Sequence, residues 1–208
     1  MKEGRTGLIG YTDSDYAGDI DDSKSTSGYV FLLGGGAVAW SSRKQPIVTF
    51  STTEAEYVAA ATCACQAVWM GRVLKEIGYD QGGEMVLLCD NTSTIKLSKN
   101  AVLHGRSKHI KVRYHFLRDL VKEGVIKLVY CNTEEQLADI MTKPLKMVTF
   151  QRIREAFGMR ILNKVLERVQ FRGGIVGFVV SCLCFRKFRN NRDVLSLVCF
   201  SQFCFVLI

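Results

Sequence analysis

Four acidic residues stand where the sequence pattern predicts that strands end or helices begin. Asp13 follows the apolar run "LIGYT", Glu56 lies in the first turns of an Ala-rich segment, and Asp90 directly follows "VLLC". Asp139 lies in "QLADIMTK", whose pattern is helical. Because strand ends and helix starts meet at one edge of an open α/β sheet, we expect the four carboxylates to converge there.

Carboxylates that converge repel one another unless cations lie between them. Oxygen ligands suit Mg²⁺, which is the usual ion in phosphate chemistry. Two such ions about 4 Å apart hold the attacking and the leaving oxygen of a phosphodiester. The four residues therefore predict a site for two Mg²⁺ ions, which Mn²⁺ can replace, and the cleavage of a phosphodiester bond.

The choice between Glu54 and Glu56 depends on their places in the helix. Ser51-x-x-Glu54 and Thr53-x-x-Glu56 both have the spacing of a capping box, so this spacing alone does not decide. Glu56 heads the apolar stripe of the helix predicted over Glu54–Ile77 and therefore points toward the sheet. We assign Glu56 to the site and a capping role to Glu54.

The other acidic residues also have simpler interpretations. Asp15 points to the same face of the first strand as Asp13 and is interpreted as a solvated residue at the rim of the site. Asp90 has the position of an N-cap for the next helix. Asp139, judged by its spacing alone, is a lone acidic residue on a helix, and such residues are usually solvated.

A basic segment, residues 106–122, has six Lys or Arg residues against Asp119 alone, which gives a local charge of +5. One face of its predicted helix is apolar, and the other is expected to contact the phosphates of a nucleic acid. The residues of this basic face are Lys108, Lys111, His115, Arg118 and Lys122. The alternative is a solvated helix face without a ligand.

The elements that must position these residues alternate between strand and helix patterns. A first strand in "GLIGYTDSDYAG" precedes a hairpin of Tyr29–Leu33 and Ala37–Ser41 joined by "GGG", and "PIVTFS" gives a further short run. After the long helix come strands in "EMVLLCD" and "VIKLVYC" and helices in "NTSTIKLSKN", "SKHIKVRYHFLRDLVKEG", "TEEQLADIMTK" and "TFQRIREAFG". This order predicts an α/β fold whose sheet begins antiparallel and adds parallel strands.

The composition indicates a globular domain followed by an extension. The chain has 208 residues, of which 48% are hydrophobic and 23% charged. Residues 1–159 form the predicted domain, whereas residues 160–208 contain apolar runs separated by "RKFRNNRD" and are expected to be poorly ordered. The extension carries +6 of the net charge of +8, so nucleic-acid binding by the domain depends on a local patch.

Length and cysteine patterns limit the cellular location. Neither apolar run of the extension reaches the roughly 18 to 20 residues of a membrane-spanning helix, so membrane association is only an alternative. The N-terminus has no apolar stretch of signal-peptide length, and we expect an intracellular protein, cytoplasmic or nuclear, that is not secreted. The eight cysteines include no CxxC pair and are interpreted as buried thiols rather than a zinc site.

Several long motifs occur in series between about Leu8 and Gly158. They are "GYTDSDYAGD", "KSTSGYVFLLGGGAVAWSSRKQPIVTFSTTEAEYVAAA", "LLCDNTSTIKLSKN", "RSKHIKVRYHFLRD" and "TEEQLADIMTKPL". Together they resemble the ribonuclease H region at the end of copia-type retrotransposon polyproteins, which are retrovirus-related Pol polyproteins. The number, order and spacing of the motifs make this resemblance specific.

The resemblance implies a ribonuclease H-like fold, a five-stranded mixed sheet with flanking helices. It also implies hydrolysis of the RNA strand of an RNA–DNA hybrid with two divalent metal ions. Matched position by position, the catalytic and metal-binding residues are Asp13, Glu56, Asp90 and Asp139. The loop "CNTEEQ" lacks the His that many cellular members of this superfamily carry before the last carboxylate.

The resemblance also implies two partners, an RNA–DNA hybrid and a reverse transcriptase domain that is normally linked to this region and is absent from this chain. Two other functions remain open at this point. One is a nucleic-acid-binding remnant without catalysis, and the other is an adaptor that binds a membrane or a protein through the apolar extension.

Overall fold

The computed structural model describes the backbone of residues 7–99 and 111–159, and the side chains of all of these except residues 111–114. The strands are β1 (Ile9–Ser14), β2 (Thr26–Leu33), β3 (Gly36–Lys44), β4 (Met85–Cys89) and β5 (Ile126–Tyr130). The helices are α1 (Thr52–Glu76), α2 (Thr92–Lys99), α3 (Lys111–Lys122) and α4 (Met147–Ala156). Two short 3₁₀ helices, Thr133–Glu135 and Leu137–Met141, lie between β5 and α4, and the second is called the 3₁₀ segment below.

The five strands form one mixed sheet in the order β3-β2-β1-β4-β5. β1, β2 and β3 are antiparallel neighbours, whereas β4 runs parallel to β1 and β5 runs parallel to β4. The sequence pattern predicts this change from antiparallel to parallel pairing, and the structure confirms it. The five-stranded mixed sheet with flanking helices is the predicted ribonuclease H-like fold.

Helices cover both faces of the sheet. Phe31 on β2 packs with Tyr57 on α1 in the larger core cluster, and both are fully buried. Its neighbour in β2, Val30, points to the opposite face and packs with Ile153 and Phe157 of the α4 region. The sheet is therefore held between α1 with α2 and α3 on one side and the 3₁₀ segment with α4 on the other.

Two predicted elements differ from the structure. The run "PIVTFS" is not a strand, because Pro46 has no N–H for a ladder and the side chain of Gln45 is already bonded to β1, β2 and α1. The segment "TEEQLADIMTK" forms 3₁₀ turns rather than an α-helix. Pro144 stops helical continuation, and Gln136 caps the N–H of Ala138 just before the 3₁₀ segment.

Some predicted core positions are also exposed. The apolar stripe of α1 is buried from Ala60 to Leu74, but Ile77 lies just past the helix and is 63% exposed. Cys63, Cys89 and Cys131 are buried, as predicted for the cysteines, whereas Cys65 is exposed. Helices within the described ranges are all too short or too polar to cross a membrane. The predicted boundary at residue 159 stays a prediction, because residues 160–208 lie outside the described part.

Candidate metal centre

All four predicted carboxylates lie at one edge of the sheet. Asp13 is near the end of β1, and Asp90 directly follows β4, its parallel neighbour. Glu56 lies in the second turn of α1, and Asp139 lies in the 3₁₀ segment that packs against β1 and β2. Asp13, Glu56 and Asp139 are 2%, 6% and 6% exposed, so the protein buries three carboxylates that it must neutralise or protonate.

The ligand atoms of these residues form two groups that share Asp90. One oxygen each from Asp13, Asp90 and Asp139 lie within 4.8 Å of one another. The second group, within the same distance limit, consists of Glu56, Asp90 and the thiol of Cys89. Asp13, in the first group, also lies close enough to Glu56, in the second, for its charge to raise the pKa of Glu56. The four carboxylates are therefore close enough to bind neighbouring cations.

Glu56 has the most strongly perturbed carboxyl group of the cluster. Burial is the main cause, and the negative charges of Asp13 and Asp90 add to it, so that the pKa of Glu56 rises to about 9. The N–H of Ser14, at the end of β1, donates a hydrogen bond to Oε1 of Glu56 at 3.3 Å. Without a cation, this carboxyl group therefore binds a proton at neutral pH.

Asp139 lies next to a lysine that the sequence did not single out. Nζ of Lys143 is 2.9 Å from Oδ1 of Asp139 and 3.9 Å from Oδ2 of Asp13. Burial raises the pKa of Asp139 to about 6 against the opposing effect of Lys143, and the charges of Asp13 and Asp90 also raise it. The hydroxyl of Thr142 donates a hydrogen bond to Oδ2 of Asp13, so two successive residues contact the carboxylate cluster.

Asp90 is oriented by a threonine and is not the cap of α2. The hydroxyl of Thr133 donates to Oδ2 of Asp90 at 3.0 Å. Oδ1 of Asn91, the next residue, accepts the N–H of Thr94 at 3.0 Å and thereby caps α2. The alternative interpretation of Asp90 as an N-cap is therefore wrong.

Glu54 and Asp15 have structural contacts instead. Oγ of Ser51 accepts the N–H of Glu54 at 3.2 Å, and Oε2 of Glu54 accepts the N–H of Phe50 at 2.6 Å. This capping arrangement agrees with the predicted role of Glu54. Asp15 is partly buried, and its carboxylate accepts the N–H of Thr26 at the base of the β1–β2 hairpin, so it is not the solvated rim residue that the sequence predicts.

Gln45 connects the three elements around Glu56, although no sequence pattern indicates a functional role for it. Its side chain is buried, and Nε2 lies 3.1 Å from Oγ of Ser14, 2.8 Å from Oγ of Ser27 and 3.0 Å from the carbonyl oxygen of Ala55. Ser14 is the residue whose N–H contacts Glu56. Gln45 therefore fixes the end of β1 relative to the start of α1.

Gly28 allows the 3₁₀ segment to approach the site. It pairs with Asp13 across β1 and β2. A Cβ atom on Gly28 would lie 2.6 Å from Cβ of Met141 and 2.8 Å from Cγ2 of Thr142. Only glycine leaves room here, and the close packing brings Thr142 to Asp13.

The donor set fits a hard divalent cation. Every member of the first group is a carboxylate oxygen, the ligand type that Mg²⁺ and Mn²⁺ prefer. In the second group, the Sγ atom of Cys89 lies 4.0 Å from Oε2 of Glu56. Burial raises the pKa of the Cys89 thiol well above its usual range, so this residue is a protonated neighbour rather than an obvious ligand.

The basic face of α3 is only partly within the described residues. Lys108 lies outside them, and the side chain of Lys111 is not described. His115 and Lys122 are exposed as predicted, but Arg118 is half-buried. α3 leads through the turn at Gly124 into the start of β5, at the opposite edge of the sheet from the carboxylates.

The direction of α3 places its two ends at different distances from the carboxylates. A helix of this length spans about 17 Å at 1.5 Å per residue. Its N-terminal end is therefore nearer to the carboxylate edge than Lys122 is. The sequence could not provide this distinction, because it depends on the order of the strands.

The polar residues that support the carboxylates were missed by sequence reasoning. They are Gln45, Thr133, Thr142 and Lys143. All four lie inside the motifs that carry the resemblance to the polyproteins, but only their contacts identify their roles.

The strand order and the carboxylates at one sheet edge define a ribonuclease H-like domain. No family model matches the chain. The retrovirus-related Pol polyprotein from transposon TNT 1-94 of Nicotiana tabacum is 46% identical over 152 residues, and that from transposon RE2 of Arabidopsis thaliana is 42% identical over 160 residues. The relatives that are 41 to 46% identical over 152 to 160 residues are retrovirus-related Pol polyproteins of copia-type transposons, which confirms the predicted resemblance.

These matches cover 73% and 76% of this chain but only 11% of each polyprotein. Among solved structures, LC11-RNase H1 from compost aligns with 66% of this chain, at 17% identity and a TM-score of 0.49. The prototype foamy virus protease–reverse transcriptase aligns with 76% of this chain, at 14% identity and a TM-score of 0.47. The alignments cover 93% and 21% of those two chains, respectively.

Proposed function

We propose that this chain is a metal-dependent ribonuclease that hydrolyses the RNA strand of an RNA–DNA hybrid. The observation that supports the proposal best is the pair of ligand groups that share Asp90 at one edge of the sheet. The homology to Pol polyproteins of retrotransposons is consistent with a hybrid substrate and with a linked reverse transcriptase as partner.

The ligands proposed for the ions are Asp13, Glu56, Asp90 and Asp139. When bound, two Mg²⁺ or Mn²⁺ ions would stabilise the charge on the attacking and the leaving oxygen of the scissile phosphate. The chain itself supplies the orientation of the carboxylates. Hydroxyl groups of Thr133 and Thr142, together with the N–H of Ser14, hold the carboxylates in place.

The basic face of α3 is proposed to contact the phosphate backbone of the hybrid. Such contacts position a duplex without reading its sequence. Lys108, which lies outside the described residues, stays a predicted contact. Because α3 runs away from the carboxylate edge, we assign a larger contribution near the cut to Lys111, the first residue of α3, than to Lys122. His115 and Arg118 lie between these ends.

Cleavage of a labelled RNA–DNA hybrid by the purified full chain tests the proposal. We expect cutting of the RNA strand with Mg²⁺ or Mn²⁺, and loss of at least about 100-fold in rate for Asp13→Asn and Asp90→Asn, because each removes an ion ligand. Asp21→Asn is the matched control, since Asp21 is exposed on the β1–β2 loop. This variant should cleave at the wild-type rate.

A different result would favour the alternative function. Salt-dependent binding of the hybrid by a folded protein, with no cleavage in either metal, would contradict catalysis and support a nucleic-acid-binding remnant. Cleavage that survives both Asn substitutions would contradict the assigned site.

A further inference from the structure

The two ligand groups that share Asp90 are called here the Asp13–Asp90–Asp139 half and the Glu56–Asp90 half of the cluster. Lys143 places a positive charge next to the first of them. Its Nζ atom contacts Asp139 at 2.9 Å and lies 3.9 Å from Asp13, both members of the group that contains only carboxylates. Within the described residues, neither Glu56 nor Asp90 forms an ion pair. The two halves of the cluster therefore differ in whether a basic side chain is present.

The position of Lys143 is fixed by the backbone around it. The N–H groups of Thr142 and Lys143 both donate to the carbonyl oxygen of Asp139, at 3.2 and 3.1 Å. The hydroxyl of Thr142 contacts Asp13, and Gly28 lets this segment lie directly on β2. The ammonium group is thus attached to a rigid turn, while its own side chain stays 41% exposed and able to move away.

We propose that Lys143 is a tethered cation that occupies the Asp13–Asp90–Asp139 half of the metal centre and competes there with the divalent ion. This inference rests on the proposed function. A divalent ion at the same oxygens would repel the ammonium group, so the ion pair must break before the ion binds. Within the described residues, no ammonium group lies at the Glu56–Asp90 half.

The expected effect is moderate, because the ion pair is partly exposed. Pairs of this kind contribute up to about 1 kcal/mol, which corresponds to an affinity change of roughly three- to fivefold. Removal of the Lys143 charge should therefore tighten one of two binding steps, that of the Asp13–Asp90–Asp139 half, by about this factor. The other step, at the Glu56–Asp90 half, should change little.

Titration of the metal-free full chain with Mn²⁺ measures both binding steps without a cleavage assay. The free ion is monitored by its electron paramagnetic resonance signal. Lys143→Met removes the charge and should tighten one of the two steps only. Lys143→Arg keeps the charge and should resemble the wild type. Lys146→Met makes the same charge change at an exposed residue three positions further on, and it should leave both steps unchanged.

Thermal unfolding provides a second measurement, which distinguishes competition with the metal ion from a purely structural ion pair. Without metal, Lys143→Met should unfold at a lower temperature, because two carboxylates lose their counter-charge. Saturating Mn²⁺ should remove this difference, because the ion replaces the ammonium group. An equal loss of stability with and without Mn²⁺ would overturn the inference.

The binding outcomes separate this inference from the proposed function. If the wild type binds two ions and Lys143→Met binds them equally well or more weakly, competition is wrong but the metal site stands. If the wild type binds no Mn²⁺, the proposed function fails and the inference fails with it.

Discussion

The buried carboxyl group of Glu56 should make the metal-free protein less stable as the pH rises. Its pKa is about 9 in the folded protein, against an ordinary value of 4.5. Below about pH 4.5 the group is protonated in both the folded and the unfolded state and has no effect. Between about pH 4.5 and 9 the unfolded chain releases the proton while the folded protein retains it, so stability falls with rising pH.

The size of this effect follows from the interval between the pH and the ordinary pKa. Each pH unit above about 4.5 costs about 1.4 kcal/mol, which gives a limit of about 4 kcal/mol at pH 7.5. Movement of the carboxyl group or entry of water reduces the cost. We therefore expect Glu56→Gln to stabilise the metal-free protein by about 2 to 4 kcal/mol at pH 7.5 and by little at pH 5.

Urea unfolding in the presence of EDTA, repeated from pH 5 to 8.5, measures this prediction. Asp139, whose pKa is about 6, adds a pH dependence that is nearly complete only at about pH 7, so the slope above about pH 7 reports mainly on Glu56. The matched control is Glu54→Gln, which removes a similarly buried carboxylate two residues earlier. Its amide oxygen can still accept the N–H of Phe50, so this variant should not gain the roughly 2 to 4 kcal/mol expected for Glu56→Gln.

Addition of Mg²⁺ extends the same experiment. A bound cation offsets the repulsion among the carboxylates, so the wild type should regain stability at pH 7.5 and Glu56→Gln should gain less. A metal-free wild type whose stability is constant or rises between pH 6 and 8.5 would refute the reasoning. So would a Glu56→Gln variant that is less stable than the wild type throughout this range.

Two further predictions concern residues that support the site, and a third concerns the extension, residues 160–208. Gln45→Ala should lower the free energy of unfolding by about 2 to 4 kcal/mol in urea, because it leaves buried acceptors on β1 and α1 unpaired and opens a cavity. Gly28→Ala should cost about 1 to 3 kcal/mol and weaken Mn²⁺ binding, since its Cβ would displace the 3₁₀ segment, whereas Gly36→Ala meets no atom closer than 3.9 Å and should bind Mn²⁺ normally. Deletion of residues 160–208 should leave cooperative unfolding and Mn²⁺ binding intact, and loss of either would show that the extension belongs to the domain.

Much of the fold could be predicted because its signals are local. Alternating and continuous apolar runs indicated the strands, and the stripe through Ala60 and Ala67 indicated α1. Prediction failed where a distant contact decides the backbone. "PIVTFS" has strand-like residues, but it forms the connection between β3 and α1. The side chain of Gln45 is bonded to α1, and Pro46 has no N–H for a strand ladder.

The candidate site could be predicted only in its acidic residues. Strand ends and helix starts indicated that Asp13, Glu56 and Asp90 would converge, because the geometry of α/β sheets brings these positions together. Thr142 and Lys143 carry no such signal, since their roles depend on how closely the 3₁₀ segment packs on β2. The direction of α3 relative to the carboxylates could likewise be known only from the strand order.

The cluster is built so that metal binding, protonation and ion pairing are alternative ways to neutralise the same buried charge. The negative charge of Glu56 is neutralised by a retained proton, and that of Asp139 is neutralised by the ion pair with Lys143. A divalent ion must displace the proton in one half and the ammonium group in the other. Because these displacements differ in chemistry, ion binding near Glu56 should depend strongly on pH, whereas binding near Lys143 should depend on charge at that residue. The Mn²⁺ titration of Lys143→Met at two pH values can therefore distinguish the two halves of the site.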